Sequence, residues 1–456
     1  MQEIKIQPLD QKRFNAFVGA TRSPAAAYVS YEIGWYANEE ETVLGAVLVD
    51  TVDDDYVGVV LGRDEGGRFR AIDLQCSIST EAEATDWLHR AMKWHTSAGA
   101  MFPQGDKKEG IDLFAPVVPI QKQHPYFTKL NSDRSFTPAK AMINEYMRHL
   151  SDIDGNFVEQ FQSTGFDARL WELYLFCYLK EEELFIDRTH YAPDFIVTKY
   201  GKEVAIEAVT VGRKENNPPK YLHTKKNMYD QLLRDIEEEH KNAMPIRFGS
   251  PLYSKVKKKY WELEHVKGRP LVFAIADFHD DQSMLWSSTA LINYLYGVKH
   301  DYHYDENKKL VITPTPIATH RVGEKEIPSG FFFQPDSEHV SAIVTSASGT
   351  ISKFNRLGKQ AGFGDKDIIM IRQGTHHDHN PDASLPKMFK YIVDEKSEET
   401  WGEGVSMYHN PNAIHPVPEE LFPSIAHHHF KEGQIVSNLP EFFVYASVTL
   451  NLRSQK

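Results

Sequence analysis

The chain has 456 residues, 41% of them hydrophobic and 25% charged, which is the balance of a globular protein with room for two or three cores. Two cysteines, Cys76 and Cys177, exclude a disulfide scaffold and fit a reducing compartment. No apolar run approaches the ~20 residues of a membrane-spanning helix, and the net charge of −13 argues against polyanion binding over the whole surface.

The opening stretch MQEIKIQPLDQKR lacks the apolar core of a signal peptide, so a cytoplasmic protein is expected. A short helix over about 10–20 leads into four strand-like runs at 27–32, 42–50, 56–62 and 68–74. Turns at Asp53-Asp54-Asp55 and Asp64-Glu65-Gly66-Gly67 separate the later ones. A helix over 80–97 follows, with Leu88, Met92 and Trp94 among its apolar positions. Residues 1–130 therefore read as an N-terminal α+β domain for recognition or regulation, and 101–135 as its connector.

Helices are expected at about 138–151, from about 156, and from Asp167, a good N-cap residue. The last of these carries one lone acid, Glu172, in the apolar run LWELYLFCYL. A strand opens with Pro193-Asp194, the chain turns at Tyr200-Gly201-Lys202, and a second strand ends with Ile206-Glu207-Ala208-Val209. A polar loop (213–219) and a charged helix (220–242) come next. Ser250-Pro251 starts another helix with Lys255, Lys257, Lys258 and Lys259 in its first turns. The run 270–277 reads as a buried central strand, and 283–296 as a helix. Beyond 300, strands are expected at 331–334, 340–345, 368–372, 405–408 and 442–450. The segment 213–269 holds 14 Lys and Arg against 8 Asp and Glu, leaving −19 for the rest of the chain. A basic stretch beside an acidic pocket suits a phosphate backbone.

Glu172, Asp194 and Glu207 lie on three adjacent elements, and burying a carboxylate without a partner is costly. Oxygen ligands in this arrangement suit Mg²⁺. A divalent ion activates water and neutralises the charge that develops during phosphodiester hydrolysis. Asp194 and Glu207 supply one carboxylate each, the carbonyl of Ala208 a third ligand, and Glu172 a fourth, directly or through water. A lysine is needed to orient the attacking water.

From Asp167 the order is helix, strand, hairpin turn, strand, charged helix, Lys-rich helix, central strand. Over about 156–280 this resembles the PD-(D/E)XK nuclease superfamily, with Pro193-Asp194 in the first motif, Glu207 as the second acid and Glu172 as the helix glutamate. The chain departs from the pattern at Val209, where the motif has lysine. Lys255 is the leading replacement, then Lys225, with Lys226 and Lys214 also in reach. The resemblance implies an α/β fold (α+β overall) with a mixed sheet flanked by helices in a nuclease-like core at 131–300. A C-terminal extension, 301–456, completes or lids it. It also implies a Mg²⁺-dependent endonuclease, with Mn²⁺ as substitute, acting on DNA or RNA in restriction or antiviral defence, as a monomer or a homo-oligomer.

Two rivals stand beside this reading. One is a catalytically silent nuclease-fold module that binds nucleic acid or a protein partner, supported by the missing lysine after Glu207. The other is a histidine-based metallohydrolase. Clusters occur at His376-His377-Asp378-His379, at His427-His428-His429, and at His409 with His415. No established zinc spacing joins them, and they read as exposed polar loops. Asp277–Asp281 reads as a solvated acidic turn and Ser346–Thr350 as a small polar turn. Arg356, Lys359, Lys366 and Arg372, interleaved with Phe354 and Phe363, read as a half-buried helix and strand.

Overall fold

Alternating side chains divide the N-terminal strands between two cores. A computed structural model describes residues 4–105, 111–150, 152, 155–213 and 239–453. In it β1 (Ile6–Pro8), β2 (Ser30–Asn38), β3 (Val43–Asp50), β4 (Asp55–Arg63) and β5 (Phe69–Ile78) form an antiparallel sheet in chain order. Val43, Val47 and Val60 face the helix Glu81–Ala98 and pack on its Ala84, Leu88 and Met92. Leu44, Ala46 and Leu61 point the other way, into the main core. The first strand expected, 27–32, is displaced: Pro24–Ala27 forms a helical turn and β2 starts at Ser30.

The largest sheet has eight strands. In chain order they are β6 (Phe185–Asp187), β7 (Phe195–Lys199), β8 (Lys202–Val211) and β9 (Leu271–Asp277), then, after hairpins β10–β13 at 298–328, β14 (Ala342–Ser346). With β15 (Ile368–His376) and β16 (Lys387–Ile392) set aside, the sheet continues in β17 (Val405–His409), β18 (Ala426–Lys431) and β19 (Gln434–Asn438). Its spatial order is β19-β18-β17-β14-β9-β8-β7-β6. β6, β7 and β8 are antiparallel, whereas β8, β9 and β14 run parallel. Every residue of β9 is buried, as a central strand covered on both faces requires. A separate sheet joins β16, β15 and β20 (Val444–Arg453). The architecture is thus mixed α+β, with strands of the largest sheet drawn from residues 185–438.

The helix Phe166–Glu181 crosses one face of this sheet. Its Trp171 donates to the carbonyl of Ala274 on β9 at 2.8 Å, and Tyr174 donates to the carbonyl of Trp401 at 2.8 Å. Val204, Ile206, Val272, Ala342 and Met407 face this helix. Ala205, Val209, Phe273, Ile343 and Tyr408 face the opposite way, toward the helices Met244–Val256 and Ser288–Tyr296.

Several boundaries differ from expectation. Gly165 caps the Phe166–Glu181 helix, and Asp167 lies inside its first turn. The helix expected to start at Ser250 begins at Met244 with Pro251 inside it, so Lys255 falls in its last turn. Phe331–Phe333 is a 3-10 turn rather than a strand. The half-buried helix and strand read around Arg356 and Arg372 are the helix Ile351–Gln360 and β15, with Lys353 and Arg356 buried inside the helix. The charged helix expected over 220–242 lies mostly outside the described residues. Among the described residues no helix is long and apolar enough to cross a membrane.

Candidate active site

Pro193 ends the approach to β7, and Phe195↔Ile206 is the last register pair between β7 and β8. One position further along, Asp194 comes level with Glu207 on the neighbouring strand. The backbone ladder has given out there, and the Asp194 carboxylate takes its place: Oδ2 accepts the N–H of Ala208 at 2.7 Å. Ala205 gives its N–H to the carbonyl of Pro270, on the β9 side. A residue in an extended strand sends its N–H and C=O to the same side. Odd residues of β8 therefore turn to β9, and the carbonyl of Ala208 opens on the edge occupied by Asp194.

The Glu207 side chain leaves on the face that carries Ala205 and Val209 and is 5% exposed. That face meets the Met244–Val256 helix, from whose last turn Lys255 donates to Glu207 Oε1. The hydroxyl of Tyr260, just beyond the helix, donates to the same oxygen at 2.7 Å. A cation thus stands beside the second acid although position 209 holds valine. Lys225, the other lysine expected here, lies outside the described residues, as do Lys226 and Lys214.

Glu172 approaches from the helix on the other face and is buried. Each of its oxygens accepts a guanidinium. Arg169, one turn earlier, reaches Oε2 at 2.7 Å, and Arg188, just after β6, reaches Oε1. Glu172 therefore sits in a two-arginine clamp, where the sequence reading had it as a ligand. Nε and Nη1 of Arg188 are buried without a hydrogen-bond partner among the described residues. Burial first, then the charges of Glu207 and Glu172, push the Asp194 carboxyl up to about 7. The Ala208 N–H and Lys255 pull the other way without overcoming this.

Arg188, Tyr260 and His265 were missed from sequence. His265 Nε2 lies 2.6 Å from the carbonyl of Ala192 and so donates to it, pinning the turn that delivers Asp194. Their contacts join positions 16, 53 and 73 residues apart, and no local pattern marks them. The Tyr260 hydroxyl keeps its proton more firmly than an ordinary phenol, because of burial and then the Glu207 charge.

Asp277 and His279 are buried and paired, Nδ1 to Oδ1 at 2.7 Å, which corrects the solvated turn expected there. Ser346–Thr350 turns into the Ile351–Gln360 helix with Gly349 packed against Trp171. Arg356 and Arg372 surround Glu399 together with Lys353, all four within 5% exposure, so they form a buried charge network rather than a surface for nucleic acid. His377 and His379 hydrogen-bond Tyr445 and the carbonyl of Glu441. His409 closes β17, one residue past the strand expected at 405–408, and His427–His429 lie on β18 rather than in an exposed loop, with His409, His427 and His428 buried. Comparison of the chain with protein-family models, with curated proteins and with solved structures finds no match.

Proposed function

We propose that the chain is a metal-dependent nuclease that hydrolyses DNA phosphodiester bonds with Asp194, Glu207 and Lys255. The observation that carries this is the meeting of Lys255 with Glu207 beside Asp194, on paired strands. It restores the lysine that Val209 lacks. The succession of helix, β6–β7–β8, helix and β9 gives further support, because it follows the order on which the PD-(D/E)XK resemblance rests.

The donor set suits Mg²⁺: two carboxylates and the Ala208 carbonyl are hard oxygen ligands, and an Asp194 carboxyl raised to about 7 lies in surroundings that favour a cation. A bound divalent ion would lower the pKa of its water and offset the charge on the phosphoryl oxygens. The protein's own groups do the rest. Both donors to Glu207 fall on Oε1, so Oε2 is the oxygen we assign to the metal. Lys255 is half-buried at the rim, where its ammonium orients a water by hydrogen bonding and attracts the scissile phosphate. Glu172 positions Arg188 rather than binding the metal. Lys257, Lys258 and Lys259 are exposed just past Lys255 and can follow a phosphate backbone.

One observation favours the silent module. Three carboxylates, Glu172, Asp194 and Glu207, meet three protein cations, Arg169, Arg188 and Lys255, so the cluster is balanced without an ion. Nicking of supercoiled plasmid by the full chain separates the two readings. The nuclease reading expects cleavage that needs Mg²⁺ or Mn²⁺ and disappears in Asp194→Asn. Equal cleavage by both proteins, or none by either with DNA binding intact, refutes it.

A further inference from the structure

The parallel strands β17 and β18 pair Met407 with His427 and Tyr408 with His428. The next pair along brings His409 level with His429. Strand alternation puts His409, His427 and His429 on one face and His428 on the other. There His428 stacks on Tyr408 and hydrogen-bonds Ser437. On the first face, Nε2 of His409 lies 2.9 Å from Nδ1 of His427. The far nitrogen of His427, Nε2, lies 2.9 Å from the carbonyl of Phe422. A carbonyl only accepts, so Nε2 carries the proton and Nδ1 keeps its lone pair toward His409. Glu419 stands over this pair from the 3-10 turn Glu419–Leu421. One donor atom each from His409, His427 and Glu419 lies within 4.8 Å of the others. His429 Nε2 lies 3.2 Å from Glu419 Oε1, which orients the carboxylate and leaves its second oxygen available.

We propose that His409, His427 and Glu419 form a binding site for a divalent first-row transition metal, separate from the Asp194–Glu207 pocket. Two neutral imidazoles and a carboxylate suit Zn²⁺, Fe²⁺ or Co²⁺ and not Mg²⁺. The spacing of 2.9 Å between the ring nitrogens matches two adjacent ligands at right angles about an ion with bonds of ~2.05 Å. In the metal-free protein the proton of His409 Nε2 occupies the ion's position; binding shifts it to Nδ1 of the same ring, so that both imidazoles stay neutral. Three protein ligands leave coordination positions open toward the solvent side, where the Glu419 side chain is 43% exposed.

The two sites cannot share an ion. His409 aligns across the sheet with Ala342, Val272 and Ile206 in turn. That is three strand spacings, or about 14 Å. Ile206 and its neighbour Glu207 point to opposite faces, so the histidine site and Glu207 also lie on opposite sides of the sheet.

The test is a Co²⁺ titration of the full chain after chelator treatment, followed by the visible absorption of ligated Co²⁺, with Zn²⁺ and Mg²⁺ as competitors. With excess Mg²⁺ present to occupy the carboxylate pocket, one equivalent of Co²⁺ is expected to bind with the absorption of nitrogen ligation and to be displaced by Zn²⁺. Glu419→Gln, on the solvent side, and His427→Gln are each expected to weaken binding at least about tenfold. Asp194→Asn is expected to leave it unchanged, so this result is independent of the nuclease reading. Absence of the one-equivalent signal in folded wild-type protein overturns the site. So does wild-type affinity in either ligand variant, with circular dichroism confirming that each variant is folded.

Discussion

Replacing Asp194 with Asn should make the protein more stable at alkaline pH while removing its activity. Burial and the charges of Glu207 and Glu172 raise the Asp194 carboxyl from 3.8 to about 7. The native state therefore holds this proton more tightly than the unfolded chain. The stability that proton supplies is complete below about pH 4 and is lost as pH rises through 7. Roughly three pKa units at 1.36 kcal/mol each set a ceiling of about 4 kcal/mol. Local relaxation and the half-buried position of Asp194 reduce the expected gain to about 1–3 kcal/mol. Asn stays neutral at every pH, and its amide oxygen can still accept the Ala208 N–H. The assay compares thermal midpoints of wild type and Asp194→Asn from pH 4.5 to 8.5 in chelator. The variant should match wild type at the acid end and exceed it by about 2–6 °C above pH 7.5. Added Mg²⁺ should narrow the gap by stabilising wild type alone. A difference that does not change with pH, or a variant less stable at pH 8, would refute the reasoning.

Lys255→Met should lower plasmid cleavage by about 10²–10³-fold, because it removes one donor aimed at the reacting groups, while DNA affinity in a gel-shift assay changes only a few-fold. Replacing Lys257, Lys258 and Lys259 together with Ala should weaken DNA binding and flatten its dependence on log salt by about 2–3 units, with saturated cleavage rates retained. Glu399→Gln should destabilise the fold by about 3–5 kcal/mol in urea unfolding, since three buried cations, Lys353, Arg356 and Arg372, converge on that carboxylate. Those cations hold its carboxyl well below the usual range despite its burial.

Reading from sequence worked best where one element sets its own pattern. The apolar run at 270–277 read as a covered strand and is one, and the helix read over 80–97 is Glu81–Ala98, capped by the Thr80 side chain. The hairpin from Pro193 to Val209 was legible because Tyr200-Gly201 supplies a turn with positive φ at both residues. It failed where side chains from distant segments satisfy one another. Glu172 looked like an orphan carboxylate inside an apolar helix, but its second guanidinium comes from Arg188, beyond the next loop. Arg356 and Arg372 looked like half-buried surface cations, and their shared anion, Glu399, is 43 residues from Arg356. β17 was legible, but the three histidines of β18 carried too little strand periodicity to be separated from a loop. His409 and His427, 18 residues apart, meet only because β17 and β18 run parallel.

The central claim is that Asp194, Glu207 and the Ala208 carbonyl hold one cation between them. Anomalous diffraction from crystals soaked in Mn²⁺ tests it most directly. A peak is expected about 2.2 Å from an oxygen of each of the three groups, with the Lys255 ammonium beside it. A map at saturating Mn²⁺ that shows no ion between β7 and β8 would contradict it.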